Sequence, residues 1–309
     1  SFAVWTDPDR KDVQLFTQWV KKEEGEEKPL PIAGGGLCLY IRATVGDETR
    51  TILYDAAESY RTMENNVDAL GLDLSKIEAV VLSHGHWDHF GGLLWAIDNI
   101  GRKDLSVYVH PRMLLKKGFE VKKPEGTKIN EMTPMPPADV IAKRGGRVTS
   151  SAKPILIAEK MFLRTGEVPR ITSHEKGMKG HKVFLEGQWK DDSTVIEDVS
   201  LVAKVKGKGL VVISGCSHAG IINIIHEAQR IAGGNKIHAL IGGLHLAGRV
   251  TKETMHETVK MMKKIRPFLL VPCHCTGWRA RHLMSAEMPE EYVEGSVGHK
   301  YIISSGDAT

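Results

Sequence analysis

Ser83-His84-Gly85-His86-Trp87-Asp88-His89 follows directly on the apolar run Ala79-Val80-Val81-Leu82. Such a run reads as a short buried strand, and the apolar stretch from Gly91 to Ile100 beyond the motif reads as a helix. The local plan is therefore strand, loop, helix, with four metal-capable side chains gathered at the strand tip. His84 and His86, two apart around a glycine, can turn their imidazoles toward one point. Asp88 and His89 continue into the next turn and can face a second point nearby. Imidazole and carboxylate are the ligands of a divalent ion that keeps an open position for water. Chance places an H-x-H-x-D-H cluster in a chain of this size and histidine content roughly once in a thousand. Ordinary hydrogen bonding at a sheet edge does not readily satisfy four such groups so close together.

Upstream, apolar residues alternate at Leu37, Leu39, Ile41, Ala43 and Val45, and Gly46-Asp47 then leads to Thr51-Ile52-Leu53-Tyr54, the pattern of a hairpin. Met63, Val67 and Leu70 share a helical face that Gly71 ends. The second half repeats the plan. Ser200 to Val205, the turn Lys206-Gly207-Lys208-Gly209 and the strand Leu210-Val211-Val212-Ile213 precede a helix carrying Ile221, Ile224, Ile225, Ala228 and Ile231. A further strand–helix–strand unit joins Ile237 to Ile241, a helix with Met255, Val259, Met262 and Ile265, and Phe268-Leu269-Leu270-Val271. The pattern predicts an α/β fold of two mixed sheets packed face to face with helices outside, in one domain over residues 1–309. Residues 111–182 differ. They are rich in Pro, Gly and Lys, hold Thr133-Pro134-Met135-Pro136-Pro137 and the basic stretch Ser173 to Lys182, and read as an insertion or lid within the domain.

Hydrophobic residues at 41% and charged residues at 26% exclude disordered, collagen-like and coiled-coil classes. The formal net charge of +4 is spread along the chain, which suits a small anionic substrate and gives no reason to expect a nucleic-acid partner. No apolar run approaches the ~20 residues that cross a bilayer, and the first residues show no signal-like pattern, so no membrane partner and a cytoplasmic location are expected. Four cysteines, Cys38, Cys216, Cys273 and Cys275, are too few for a disulfide scaffold and fit a reducing compartment. A homo-oligomer is compatible with all of this and required by none of it.

The motif, its place between strand and helix and the two-half layout resemble the metallo-β-lactamase superfamily, whose fold is a four-layer αβ/βα sandwich with a one- or two-metal site between the sheets. Several segments are similar to the branch related to 7,8-dihydropterin-6-yl-methyl-β-ribofuranosylaminobenzene 5′-phosphate synthase. They are Val81 to His86, Thr165-Gly166-Glu167-Val168-Pro169-Arg170, Ser214 to Gly220, Gly242-Gly243-Leu244-His245-Leu246 and Cys273-His274-Cys275-Thr276-Gly277. The resemblance implies His84 and His86 on one metal, and Asp88, His89 and His274 on the other. His218 follows its strand as His84 follows Leu82, and is the candidate for the remaining imidazole. Two departures stand out. The place of a bridging Asp reads Gly215-Cys216-Ser217-His218, and Asp55-Ala56-Ala57 replaces the usual Asp-Thr-Gly. Asp55 would still anchor the histidine loop, and Asp198 would be either a ligand or an acid that holds a ligand imidazole.

Cys216, Cys273 and Cys275 flank these ligands. Thiolate ligation and a redox switch are weighed against packing of small, weakly polar residues beside a metal loop, and packing is the favoured reading because an isolated Cys-x-Cys bite is a poor structural zinc motif. His245 either touches substrate and shuttles a proton or is a hydrogen-bonded loop residue. His110 is expected beside the ligands, and Trp87, Trp95 and Trp278 as core bulk. Arg170, Lys176, Lys179 and Lys182 are candidates for phosphate recognition, a solvated face being the simpler reading for most.

The implied chemistry is hydrolysis of an ester-like bond, in a phosphoester, lactone or related small anionic substrate, by a metal-bound hydroxide. Asp88 orients it, and His245 or a basic lid residue assists the charged oxygen. Two divalent ions are the implied cofactors, zinc first, with manganese and iron compatible. The alternatives are a synthase like that of the pterin branch, assembling a phosphoribosyl-aminobenzene product, and a metal-bound sensor without turnover.

Overall fold

A computed structural model describes residues 10–20, 28–248, 250 and 252–305. One sheet runs in the order Leu39–Val45, Glu48–Tyr54, Ile77–Val81, Leu105–Val109 and Gly146–Ser150, an antiparallel hairpin followed by parallel neighbours. The other runs Leu269–Cys273, Ile237–Gly243, Gly209–Ser214, Ser200–Val205, Phe162–Arg164 and Ile155–Ile157. Its first three strands are parallel and the rest antiparallel.

Successive side chains of a strand point to opposite faces, and here both faces are covered. Ala79 and Val81 lie in the buried cluster that also holds Leu201, Val211, Ile213, Ala239, Ile241, Leu269 and Val271, so this cluster is the interface between the sheets. Ile77 and Val80, on the other face, share a cluster with Met63, Leu93, Ile97 and Ile141 from the helices Tyr60–Leu70, Leu93–Ile100 and Ala138–Lys143. Leu210, Val212, Leu240 and Leu270 likewise join Ile221, Ile225, Val259, Met262, Ala280 and Met284 from Ile221–Ala232, Lys252–Ile265 and Trp278–Glu287. The result is the four-layer αβ/βα sandwich. Burial on both faces is why the central strands appear in the sequence as unbroken apolar runs.

The helix bearing Met63 begins at Ser59, whose side chain accepts from Thr62 N, and ends at Gly71 with φ 60°. The helix expected from Gly91 to Ile100 is two, Trp87–Phe90 and Leu93–Ile100.

The polar stretch 111–182 is shared among three sheets. Lys117–Lys123 pairs antiparallel with Gly126–Glu131 on one side and with His181–Leu185 on the other, and His181–Leu185 pairs in turn with Gln188–Asp191, making a separate four-stranded sheet. Between these hairpins the chain returns to the sandwich, placing Gly146–Ser150 at the edge of one sheet and Ile155–Ile157 with Phe162–Arg164 at the edge of the other. A few buried residues, Ile141, Ile157 and Phe162, are enough to seat these edge elements, and the polar average of the stretch conceals them.

Candidate metal centre

The parallel strands of each sheet end in loops that meet across the sandwich. The loop after Ile77–Val81 is fixed from behind by Asp55, at φ 60°. Its Oδ1 accepts from Ser83 N at 2.7 Å, and its Oδ2 accepts from Ser83 Oγ at 2.8 Å and lies 2.7 Å from His89 Nδ1. Ser83 Oγ is in turn 2.9 Å from His84 Nδ1. With the outward nitrogens of His84 and His89 held in this way, each ring presents Nε2 to the interior.

His84 Nε2 is 3.0 Å from His86 Nδ1 and 3.1 Å from His218 Nε2. Burial, reinforced by the neighbouring imidazoles, holds His84, His86 and His218 well below the ordinary imidazole pKa, so all three are neutral and offer lone pairs. Two further ring nitrogens directed at His84 Nε2 cannot both donate to its single lone pair, whereas a cation among the rings would give each a partner. His218 comes from the loop after Gly209–Ser214, 134 residues from His84. The approach is close enough that a Cβ on Gly215 would stand 2.1 Å from Ser83 Oγ.

A second group lies alongside. Asp88, His89, Cys216 and His274 each bring a ligand atom within 4.8 Å of the others. Although burial opposes it, the imidazoles of His274, His89 and His86 bring the Asp88 carboxyl down to about 2. His274 Nε2 is 3.4 Å from Asp88 Oδ2 and makes no hydrogen bond.

Cys216 is common to both groups. Its Sγ is 3.1 Å from His89 Nε2 and also clusters with His84 and His218. It stands between the two donor groups, within ligand distance of both, so its geometry offers a donor where the sequence shows no bridging Asp, beyond the packing expected of it. Burial pushes this thiol well up in the metal-free protein, and a coordinated ion would deprotonate it. Cys275 and His245 form a third group with Cys216. The donors fit two divalent ions: His84 Nε2, His86 Nδ1 and His218 Nε2 would hold one, Asp88, His89 and His274 the other, with Cys216 between them.

Other expected residues surround this centre. His245, at φ 45°, has its ring 4.3 Å from that of His218, and its Nδ1 has no hydrogen-bond partner. Asp198 is buried and accepts from Ala219 N at 2.8 Å, bracing the backbone after His218, and belongs to none of the ligand groups. Burial raises its carboxyl to about 7. His110 Nε2 is 3.1 Å from Glu167, away from the ligands. Arg170 donates to the carbonyls of Val168, Thr194 and Val195, so these donors tie loops together. Lys182 pairs with Glu120 and Asp191.

Core packing does not describe Trp87 and Trp278. Placed at the first positions of helices beside the ligand loops, they are 45% and 67% exposed and stand on the rim, while Trp95 packs against the core as expected. Sequence reasoning did not single out His181. Fully buried on the four-stranded sheet, it sits with Nε2 3.1 Å from His86 Nε2. Nor did it single out Lys117 and Glu197, a buried ion pair at 3.2 Å. The only signal for His181 was its histidine type within a polar stretch.

Residues 32–156 match the family model of the metallo-β-lactamase superfamily. The chain is 31% identical over 260 residues to the 7,8-dihydropterin-6-methyl-4-(beta-D-ribofuranosyl)-aminobenzene-5'-phosphate synthase of Methanocaldococcus jannaschii, covering 83% of this chain and 86% of that one. It is 27% identical over 256 residues to an uncharacterized protein of the same organism, MJ0448, covering 83% and 90%. Among solved structures it resembles Tm1679, a metal-dependent hydrolase of the β-lactamase superfamily, with a TM-score of 0.68, 25% identity and coverage of 83% and 91%. The chain therefore belongs to the metallo-β-lactamase superfamily, and it is an enzyme. Within that class it lies in the branch related to the synthase.

Proposed function

We propose that the protein is a two-metal hydrolase acting on an ester-like bond of a small anionic substrate. The observation that carries this reading is the pair of donor groups meeting at Cys216. Two divalent ions, if held there, would supply a water activated at neutral pH and a positive field for the substrate's anionic oxygen. A sulfur donor among imidazoles favours zinc or iron over manganese.

The chain's own groups divide the remaining work. Asp88, kept ionised beside His274, accepts a hydrogen bond from the attacking water and orients it. His245, with Nδ1 unpartnered beside His218, is placed to give a proton to the departing oxygen. Val168, Thr194 and Val195 already occupy Arg170, so recognition of the anion rests on the centre rather than on that side chain.

A second reading has its own support. The relative at 31% identity is a synthase, so the same centre could drive bond formation between two substrates. Metal analysis followed by turnover assays on phosphodiesters, lactones and thioesters, with and without chelator and in 18O-labelled water, separates the two. Chelator-sensitive turnover that places 18O in the product supports hydrolysis. Absence of hydrolysis with metal bound, together with condensation of an aminobenzene ribose phosphate with a pterin, overturns it in favour of the synthase.

A further inference from the structure

The four-stranded sheet outside the sandwich reaches the histidine loop at two places. From the strand His181–Leu185, His181 directs Nε2 at His86 Nε2, 3.1 Å away, on the edge of the His86 ring opposite the nitrogen that faces His84. Behind it, His181 Nδ1 is 3.1 Å from the Asp192 carbonyl and 3.2 Å from Asp192 Oδ2. Asp192 Oδ1 accepts from Arg112 Nη1 at 3.1 Å. From the strand Lys117–Lys123, Lys117 Nζ donates to the carbonyls of Arg112, Met113 and Leu115 and pairs with Glu197, whose Oε1 accepts from Gly85 N at 2.8 Å. Gly85 admits no side chain here, since a Cβ would stand 2.7 Å from Lys117 Nζ and 2.9 Å from Glu197 Oε1.

We infer that this sheet is a clamp on the first metal position, and that His181 is the positioning residue that fixes the tautomer and ring orientation of His86. The inference rests on the reading of His84, His86 and His218 as ligands. Its logic is hydrogen-bond direction. With the main-chain carbonyl of Asp192 accepting from His181 Nδ1, His181 Nε2 carries the lone pair and accepts the His86 Nε2 proton. That leaves His86 Nδ1 deprotonated, aimed at the ion and more basic. Groups holding the far nitrogen of a ligand imidazole commonly change metal affinity ~10–100-fold when removed. Here the holding group lies 95 residues away on another sheet, so binding of the first ion and seating of that sheet are coupled.

Zinc titration of the full chain against a chromophoric chelator tests this in wild type, His181→Leu, His181→Ala and His181→Gln. The melting temperature of each metal-free form serves as the folding control. The expected result is that His181→Leu weakens one of two zinc equivalents ~10–100-fold and leaves the other unchanged. His181→Gln, whose amide oxygen can accept from His86, should recover most of the loss. A folded His181→Leu with both equivalents at wild-type affinity overturns the inference, as does a His181→Gln no better than leucine. If the leucine variant does not fold, His181→Ala takes its place, and a folded His181→Ala with both equivalents at wild-type affinity overturns the inference. Wild-type protein that takes up no zinc overturns the ligand reading itself, an outcome distinct from the others.

Discussion

In the loop after Ile77–Val81 each imidazole has a group on its outward nitrogen: Ser83 beside His84, His181 beside His86 and Asp55 beside His89. On the opposite side of the centre, His218 Nδ1, His245 Nδ1 and His274 Nε2 have no hydrogen-bond partner among the described residues. Ser217, His245 and His274 there take left-handed backbone, with φ of 58°, 45° and 49°. Such conformations cost ~1–3 kcal/mol each and persist only where the surroundings impose them. One side of the centre is thus prepared by hydrogen bonds before any ion arrives. The other is prepared by backbone shape, and there His274 Nε2 would gain its partner from an ion that binds.

The largest effect expected from breaking this contrast is at the shared imidazole. His84→Ala removes the ring facing both His86 and His218, and should lower turnover by more than ~100-fold with loss of one metal equivalent, read by elemental analysis beside steady-state rates. A variant retaining its rate would show that the converging nitrogens do not hold the working ion.

Cys216 tests the junction between the two sides. Cys216→Ala should weaken both metal equivalents and cut turnover ~10–100-fold, while Cys216→Asp, restoring an anionic donor able to span two ions, should recover part of each. Unchanged metal binding in the alanine variant would return the thiol to a packing role.

Asp55→Asn probes the hydrogen-bonded side alone. Asp55 takes two bonds from Ser83 and one from His89, and hydrogen bonds to a charged group are each worth ~1.5–3 kcal/mol. The substitution should cost ~3 kcal/mol or more in denaturant unfolding of the metal-free protein, because asparagine offers one acceptor oxygen where three donors converge.

Asp198, bracing Ala219 on the strained side, gives the smallest effect. Its carboxyl is raised by burial to about 7, against an ordinary value of about 3.9. Between those values the folded protein holds a proton that the unfolded chain has released. On this account the metal-free protein loses stability as pH rises through that window, and regains none above it. Asp198→Asn keeps an acceptor for Ala219 N and should flatten this decline, raising the melting temperature above pH 7. An unaltered pH profile would show that Asp198 does not titrate there.

The alternation of faces in Ala79-Val80-Val81 and Leu210-Val211-Val212-Ile213 is a local property, and periodicity alone reveals it. The spacing of His84, His86, Asp88 and His89 is local in the same sense, since neighbours leaving one strand tip stay close whatever the rest of the chain does. His218 could be reached by analogy, because its loop follows an equivalent strand. The exposure of Trp87 and Trp278 could not, because hydrophobic character does not tell rim from core. His181 was hidden because composition averaged over 111–182 describes a segment whose pieces serve three sheets.

The sequence by itself determined the strands and the histidine loop, since each depends on residues within a few positions of one another. Only the tertiary structure decided that the thiol of Cys216 stands between the two ligand groups and that a histidine 95 residues from His86 backs it. Those contacts form when sheets distant in the chain close on each other, and spacing along a strand carries no record of that distance.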